Sequence, residues 1–409
     1  MYMIRCLALC ATIAVLSACS CTARTGNAGQ LAVALEKSEP SILTGADQVD
    51  EIVKIVRGKR VAVLGNQTSV LRNGTHLVDT LLAVNIHIAK IFTPEHGFRG
   101  TADAGAKVKD GKDVKTGLPI ISLYGNNKKP AAEQLQDVDV VIYDLQDVGV
   151  RFYTYISSLE YLIEACAQHQ KELVILDRPN PLGNKIDGPV LDKQQRSFVG
   201  MQPVPVVYGM TPAEYARMII GEKWVKADGL KLHIVQNSHY THDSYYELPV
   251  APSPNLKNMT AVLLYPSLCF FEGTQISLGR GTATPFQVYG HPLLKSISTY
   301  EFTPQPVEGA MNPPLKGKTC YGELVAGTAE QASDLTESGL NLSWLLKAYK
   351  AYPAKNEFFL SGNFFNLLAG NTTLKQQIIS GKTEAEIRRS WQSDLEAFRV
   401  IRQKYLLYP

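Results

Sequence analysis

Ile86-His87-Ile88-Ala89-Lys90-Ile91-Phe92 runs directly into Thr93-Pro94-Glu95-His96-Gly97-Phe98-Arg99-Gly100, and this passage decides the fold. The first half is a short apolar, β-branched run of strand length. The second half is a Pro/Gly loop that concentrates a carboxylate, an imidazole and a guanidinium within five residues. In open α/β sheets, the loops beyond the carboxyl ends of the strands hold ligands and carry chemistry. Glu95 is therefore the first candidate for catalysis.

Outward from this point the same grammar repeats. Strand-like runs are expected at Val61 to Leu64, Ile86 to Phe92, Ile120 to Leu123, Val138 to Tyr143, Leu173 to Leu176 and Val204 to Val207. Between them lie helical spacings, such as Val49 to Val56 and Ile156, Leu159, Ile163, Cys166. Alternation of the two periods predicts an α/β chain whose parallel sheet is covered on both faces. Thr211-Pro212-Ala213-Glu214 marks a further helix start, with Thr as cap, Pro in the first turn and Glu closing a capping box. From about Pro252 the texture turns to Pro, Gly and aromatic loops. After Glu330 it becomes helical, with Leu340 to Tyr349 and Thr383 to Tyr405 as the segments, and the boundary falls between Pro252 and Pro292.

The N-terminus reads as a targeting segment. Arg5 is followed by the apolar stretch Cys6 to Leu16, which is too short to span a bilayer as a helix. Leu16-Ser17-Ala18-Cys19 resembles a bacterial lipobox, which predicts cleavage before Cys19, lipidation of that residue and anchoring without a transmembrane helix. The alternative is a plain cleaved signal ending at Ala18. Removing Arg5 from a formal net charge of +3 leaves about +2, with no basic stripe or acidic tail, so nucleic-acid binding is excluded. Of seven cysteines, Cys166, Cys269 and Cys320 remain beyond the N-terminal region and lack zinc-site spacing. Buried free thiols, or at most one bridge among those three, are expected.

Several strand exits share the polar character of the Glu95 loop. Val138 to Tyr143 leads into Asp144-Leu145-Gln146-Asp147-Val148-Gly149-Val150-Arg151-Phe152-Tyr153-Thr154-Tyr155, and Leu173 to Leu176 into Asp177-Arg178-Pro179-Asn180-Pro181-Leu182-Gly183. Asn66-Gln67-Thr68 follows the first strand. Four polar exits from one sheet predict a single cleft. Each residue also has a structural reading. Asp144 and Asp177 stand where an ion pair with a nearby arginine is as natural as catalysis, His96 can brace its own loop, and Tyr153 and Tyr155 can pack as core aromatics. Glu95 has little packing value in a Pro-Glu-His-Gly turn.

These motifs together resemble the exo-β-N-acetylmuramidase family of bacterial cell-wall glycosidases, formerly a domain of unknown function. The resemblance runs from about Leu43 to Pro409 and adds Ala251-Pro252-Ser253-Pro254-Asn255, Phe271-Glu272-Gly273-Thr274 and Gly279-Arg280-Gly281-Thr282 to the motifs above. One departure is Asn184, where a second glycine is expected. The resemblance implies a Rossmann-like catalytic domain (46–265) and a smaller α+β C-terminal domain (266–409), after a signal (1–18) and tether (19–45). It implies a cleft between the two domains and release of N-acetylmuramic acid from non-reducing ends of peptidoglycan fragments. Glu95 is then the leading catalytic acid, with Tyr153 also implicated and Asp144 and Asp147 as further catalytic candidates. Asn66, His96, Arg99, Arg151, Tyr155, Asp177, Arg178, Asn180, Asn255, Glu272 and Arg280 are the substrate-binding candidates.

Glycoside hydrolysis needs an acid to protonate the leaving oxygen and a second group at the anomeric carbon. The second group stays open between the substrate's own acetamido group, polarised by Tyr153 or an Asp, and a carboxylate that activates water or attacks. The lactyl carboxylate of muramic acid suits a guanidinium, for which Arg99, Arg151, Arg178 and Arg280 are the candidates. No cofactor or metal is expected, and the partners are a peptidoglycan sugar and, through Cys19, a membrane, with no nucleic acid and no obligate protein partner. Leu64-Gly65-Asn66-Gln67-Thr68 stands where a dinucleotide fingerprint would be, and phosphate-loop, serine-elbow and H-E-x-x-H motifs are absent. The rival reading is a non-catalytic lipoprotein that captures muropeptides in the same cleft.

Overall fold

The computed structural model describes residues 41–95, 97–98 and 110–409. The leader, Cys19 and residues 19–40 of the tether lie outside the described residues, as do His96 and Arg99.

Seven strands form one sheet in the order β3-β4-β2-β1-β5-β6-β7. They are β1 (Val61–Gly65), β2 (Ile88–Thr93), β3 (Gly111–Lys112), β4 (Pro119–Ser122), β5 (Val140–Asp144), β6 (Glu172–Leu176) and β7 (Leu232–Val235). All pair in parallel except β3, which runs antiparallel to β4 at the edge. Alternate residues serve opposite faces. Val61, Val63, Ile91, Val140, Ile142 and Val174 pack under α1 (Val49–Val56) and α2 (Leu77–Ala83). Ala62, Leu64, Phe92, Val141, Tyr143, Leu173 and Ile175 form the other face, near the short α3 (Ala132–Leu135) and against α4 (Tyr155–Gln168) and α5 (Pro212–Gly221). Burial on both faces explains why the strands read as continuous apolar runs.

One expected strand is corrected. Val204 to Val207 is buried but stands outside the sheet, with isolated bridges of Val207 to Val150 and Asp187, which lie outside it as well. Pro203 and Pro205 lack the N–H groups that a ladder needs. The seventh strand is instead Leu232–Val235, which is only partly buried along Leu232–Ile234.

The remaining chain carries α6 (Met259–Leu268), a three-stranded antiparallel sheet β8-β10-β9 (Val288–His291, Cys320–Leu324, Tyr300–Phe302) and six helices. These are α7 (Ala329–Leu335), α8 (Ser343–Ala351), α9 (Phe364–Ala369), α10 (Thr373–Ile379), α11 (Glu384–Arg389) and α12 (Gln392–Gln403). The segment expected as one helix from Thr383 is thus two, interrupted at Ser390 and Trp391; Trp391 is buried in the core. Both capping boxes, Thr211 with Glu214 and Thr383 with Glu386, are formed. Trp344, Leu345, Trp391 and Phe398 join the same apolar core as α4 and α5, and Ser41–Pro409 is one compact unit. Cys166, Cys269 and Cys320 are buried free thiols.

Residues 405–409 return to the first sheet. The Tyr408 hydroxyl donates to Asp177 Oδ2 at 2.6 Å, and Leu407 N–H donates to Glu214 Oε1 at 2.8 Å. The His242 N–H donates to the Pro409 carbonyl at 2.9 Å.

Candidate active site

The strand order reverses between β1 and β5, the switch point at which open α/β sheets hold ligands. The two exits there are stitched together. Ser69 Oγ donates to the Asp144 carbonyl at 2.6 Å, and Gln146 N–H donates to Thr68 Oγ1 at 3.1 Å. Asn66 Oδ1 accepts from Thr68 N–H and Oγ1, while its Nδ2 donates to the Tyr155 hydroxyl at 2.7 Å. Asn66 thus aims a tyrosine rather than standing at the surface itself.

Glu95 follows β2, half-buried, with a donor on each oxygen. The Tyr124 hydroxyl, just beyond β4, donates to Oε1 at 2.9 Å, and Thr154 Oγ1, from the β5 exit, donates to Oε2 at 3.4 Å. Burial and the Glu95 charge push the Tyr124 phenol well up, so it stays a neutral donor. Glu95, Tyr124 and Thr154 line a cleft of about 290 Å³ together with Tyr153, Tyr155, Tyr265, Glu272 and Arg280. Among the described residues, the chemical content of this wall is two carboxylates, one guanidinium and four phenols in an aromatic surround.

Tyr153 and Tyr155 meet edge to face at 4.7 Å, and their hydroxyls donate to the Pro252 carbonyl at 2.8 and 3.4 Å. Gln67 Nε2 donates to the same carbonyl at 3.1 Å, so the Ala251–Asn255 segment is pinned to two strand exits. Burial raises both phenols well above the usual tyrosine range. They can therefore donate hydrogen bonds, but are poorly suited to act as phenolates.

Glu272 and Arg280 face each other at the far wall. Arg280 Nε and Nη2 both donate to Glu272 Oε1, at 2.9 and 2.5 Å, and the guanidinium lies 4.9 Å from the Phe286 ring. The other oxygen of Glu272 accepts from the Cys269 thiol at 3.7 Å.

The remaining expected residues lie in the frame around this cleft. Arg178 grips Asp144 side-on, with Nε to Oδ1 at 2.6 Å and Nη2 to Oδ2 at 3.0 Å, both side chains being at most 1% exposed. Arg151 is fully buried, donating to the carbonyls of Pro189 and Val204 at 2.7 Å and of Leu368 at 2.9 Å. It ties the β5 exit to α9 and does not line the cleft. Asp147 accepts from the Tyr208 hydroxyl and from Gly149 N–H, and burial lifts its carboxyl to about 7. Asp177 accepts from Tyr408 and from Ala213 N–H at the start of α5, and burial lifts it also to about 7. Asn180 folds back on its loop, with Nδ2 to the Met210 carbonyl and Oδ1 accepting from Leu182 N–H. A Cβ at Gly149, where φ is +75°, would sit 2.2 Å from Asn180, which explains the glycine between Asp147 and Arg151. Asn255 Nδ2 holds the Gly309 carbonyl at 2.8 Å.

Tyr124, Thr154 and Tyr265 are among the cleft residues that escaped sequence reading. Tyr124 had a usable signal, since it stands immediately beyond an expected strand, as Glu95 does. Thr154 sat unremarked between two tyrosines. Tyr265 lies inside α6, where nothing in the apolar sequence Met259–Leu268 distinguishes it from packing.

Residues 61–260 match the family described as exo-β-N-acetylmuramidase NamZ, N-terminal, and residues 263–408 match its C-terminal counterpart. The chain is 35% identical over 387 residues to the peptidoglycan β-N-acetylmuramidase NamZ of Bacillus subtilis (strain 168), covering 90% of this chain and 92% of that protein. Among solved structures, a DUF1343 family protein from Bacteroides fragilis superposes with a TM-score of 0.82 at 42% identity, over 90% of this chain and 99% of the other. A second protein of that family from the same organism gives a TM-score of 0.74 at 28% identity, over 90% and 100%.

Proposed function

The chain belongs to the NamZ family of exo-β-N-acetylmuramidases, and we propose that Glu95 is the acid with which it cleaves peptidoglycan. It is a glycoside hydrolase that removes N-acetylmuramic acid from non-reducing ends. The observation that carries the role of Glu95 is its fixing from both sides, by Tyr124 and Thr154, at the carboxyl edge of the sheet and inside an enclosed cleft.

Hydrolysis breaks the bond from the anomeric carbon to the bridging oxygen. That oxygen takes a proton, and the carbon takes a hydroxyl from water. A carboxyl held by neutral donors is positioned to give that proton. Tyr153 and Tyr155, kept protonated by burial, line the cleft with their protons directed at the Pro252 carbonyl, so that they offer substrate ring faces and oxygen lone pairs; Asn66 sets the direction of Tyr155. Asp144 and Asp147 act one layer behind, Asp144 by neutralising Arg178 and Asp147 by bonding Tyr208. The lipobox-like Leu16-Ser17-Ala18-Cys19 supports anchoring through acyl chains on Cys19, with the enzyme facing the periplasm from the outer membrane. Intact mass of the membrane form tests this: an unmodified Cys19 terminus overturns it.

The decisive experiment is turnover of a chromogenic aryl β-N-acetylmuramide and of the disaccharide by the parent and by Glu95→Gln. Gln keeps the shape and loses the proton, so kcat on the disaccharide falls by about two to four orders of magnitude with KM largely kept. The loss is smaller on the aryl glycoside, whose leaving group needs little protonation. Undiminished activity on both removes Glu95 from the mechanism, and absence of turnover by the parent would favour the binding-only reading.

A further inference from the structure

The 290 Å³ cleft does not end at its far wall. Glu272, Arg280 and Phe364 also line a second cavity, of about 700 Å³, built from the C-terminal part of the chain. Resting on the glycosidase reading, we infer that this second cavity is the leaving-side sugar site: it takes the neutral N-acetylglucosamine next to the scissile bond and, beyond it, the following sugar with its lactyl carboxylate turned out to the solvent at the rim.

Three observations support the assignment. The first is continuity. An exo-acting cleft encloses the terminal sugar, and the rest of the chain must leave it along a connected path; the threshold of Glu272, Arg280 and Phe364 is such a path. On this reading Glu95 and Glu272 stand on either side of the bond to be cut, the arrangement of carboxyls that glycoside hydrolysis uses. The second is charge. Glu272 and Arg280 neutralise one another, and among the described residues no other charged one lines the larger cavity. An anionic stem peptide would find no spare cation there, whereas hydroxyl and acetamido groups can meet Thr274, Gln275 and Asn312. The third is the surface itself. Phe364 is 39% exposed and borders both cavities, and Leu360 is 37% exposed at the rim of the larger one. An exposed aromatic at the join of two cavities is a platform for the apolar face of a sugar ring.

The cavity is held open by backbone. Gln275 N–H donates to the Phe358 carbonyl at 2.9 Å and Leu360 N–H to the Gly273 carbonyl at 3.0 Å, which fixes one wall. The opposite wall is pinned where Asn255 holds Gly309. A Cβ at Gly309, where φ is +81°, would lie 2.2 Å from Pro254, so the loop approaches the Ala251–Asn255 segment as only glycine allows. The segment that receives the Tyr153 hydroxyl therefore also shapes the larger cavity.

With more than twice the volume of the terminal-sugar cleft, the cavity fits two units. Peptide-free substrates that begin with N-acetylmuramic acid should gain in kcat/KM from the aryl glycoside to the disaccharide, and by roughly tenfold more to the trisaccharide, with a plateau at the tetrasaccharide. Leu360→Trp and Asn312→Trp place bulk at exposed rim positions of the larger cavity only. Each should cut the ratio of trisaccharide to aryl-glycoside kcat/KM by about tenfold. Equal efficiency on all lengths, with the aryl glycoside turned over, overturns this inference and leaves the glycosidase reading standing. A gain that follows a lactyl-linked peptide instead of chain length overturns it in favour of a peptide site. If the parent turns over none of the substrates, the glycosidase reading itself fails.

Discussion

Replacing Asp144 with Asn removes one negative charge from the most enclosed ion pair among the described residues and leaves everything else in place. Arg178 then keeps its charge, with Nε and Nη2 facing an amide instead of the carboxylate they reach at 2.6 and 3.0 Å, and with only the Val70 carbonyl at 3.1 Å as another acceptor. Both side chains are shut off from water, so solvent cannot compensate. Breaking a buried pair from one side costs about 3–5 kcal/mol, chiefly the penalty of the stranded charge. With a urea m-value of about 3 kcal/mol/M, the unfolding midpoint should fall by about 1–1.7 M at unchanged slope. The double variant Asp144→Leu, Arg178→Met removes both charges and should recover at least half of that loss. Under native conditions Asp144→Asn should keep kcat within a few-fold of the parent, because Asp144 is not on the cleft wall. A midpoint shift equivalent to less than about 1 kcal/mol, together with a loss of kcat by orders of magnitude, would refute this reasoning and return Asp144 to the chemistry.

Tyr124→Phe removes the 2.9 Å donor to Glu95 Oε1 and should lower kcat by about ten- to a hundredfold with KM little changed; a purely KM effect would contradict its placing role. Asp147 and Asp177 carry protons to about pH 7 when folded but release them near pH 4 when unfolded, because burial penalises their charge. The folded state thus binds more protons between these limits, and stability should fall as pH rises from about 4.5 to 7. Urea midpoints across that window should show this slope, flattened in Asp147→Asn; a rise in stability with pH over the window, or an unchanged slope in the variant, counts against it. Tyr408→Phe leaves Asp177 Oδ2 without its 2.6 Å donor and the Asn237 N–H without its acceptor, and should cost about 1–3 kcal/mol in the same titration. No change would mean that residues 405–409 are dispensable to the sheet.

The sequence was most legible where one physical rule dominates. Strands buried on both faces announce themselves as apolar runs, and their polar exits announce the cleft; Val61, Ile88, Val140 and Leu173 all lie in or at the start of such runs. It was least legible where two rules compete. Val204 to Val207 has strand-like composition, but the neighbouring prolines forbid a ladder. Leu232–Val235 is a strand because β6 offers an open edge, although Lys231 and His233 hide the pattern. Among the polar residues, composition could not separate those that face substrate from those that hold the frame. Arg151, Arg178 and Arg280 look alike in sequence; the fold turns the first two inward to carbonyls and to Asp144, and leaves Arg280 on the cleft wall. The second cavity was invisible, since its walls come from residues 271–280, 309–315 and 360–364, which share no periodicity and meet only in three dimensions.

The bond from Tyr408 to Asp177 spans 231 residues of chain. During synthesis, Asp177 Oδ2 therefore lacks its shorter donor until residue 408 has been made, with Asn237 Nδ2 at 3.5 Å as the earlier one. The strands pair within residues 61–235, but the exit of β6 is fully bonded only once the whole chain has left the ribosome. Under the export signal proposed for residues 1–18, such delay would have a use: a polypeptide that completes its bonding late stays threadable for longer, and a wall-cutting activity is assembled only after delivery.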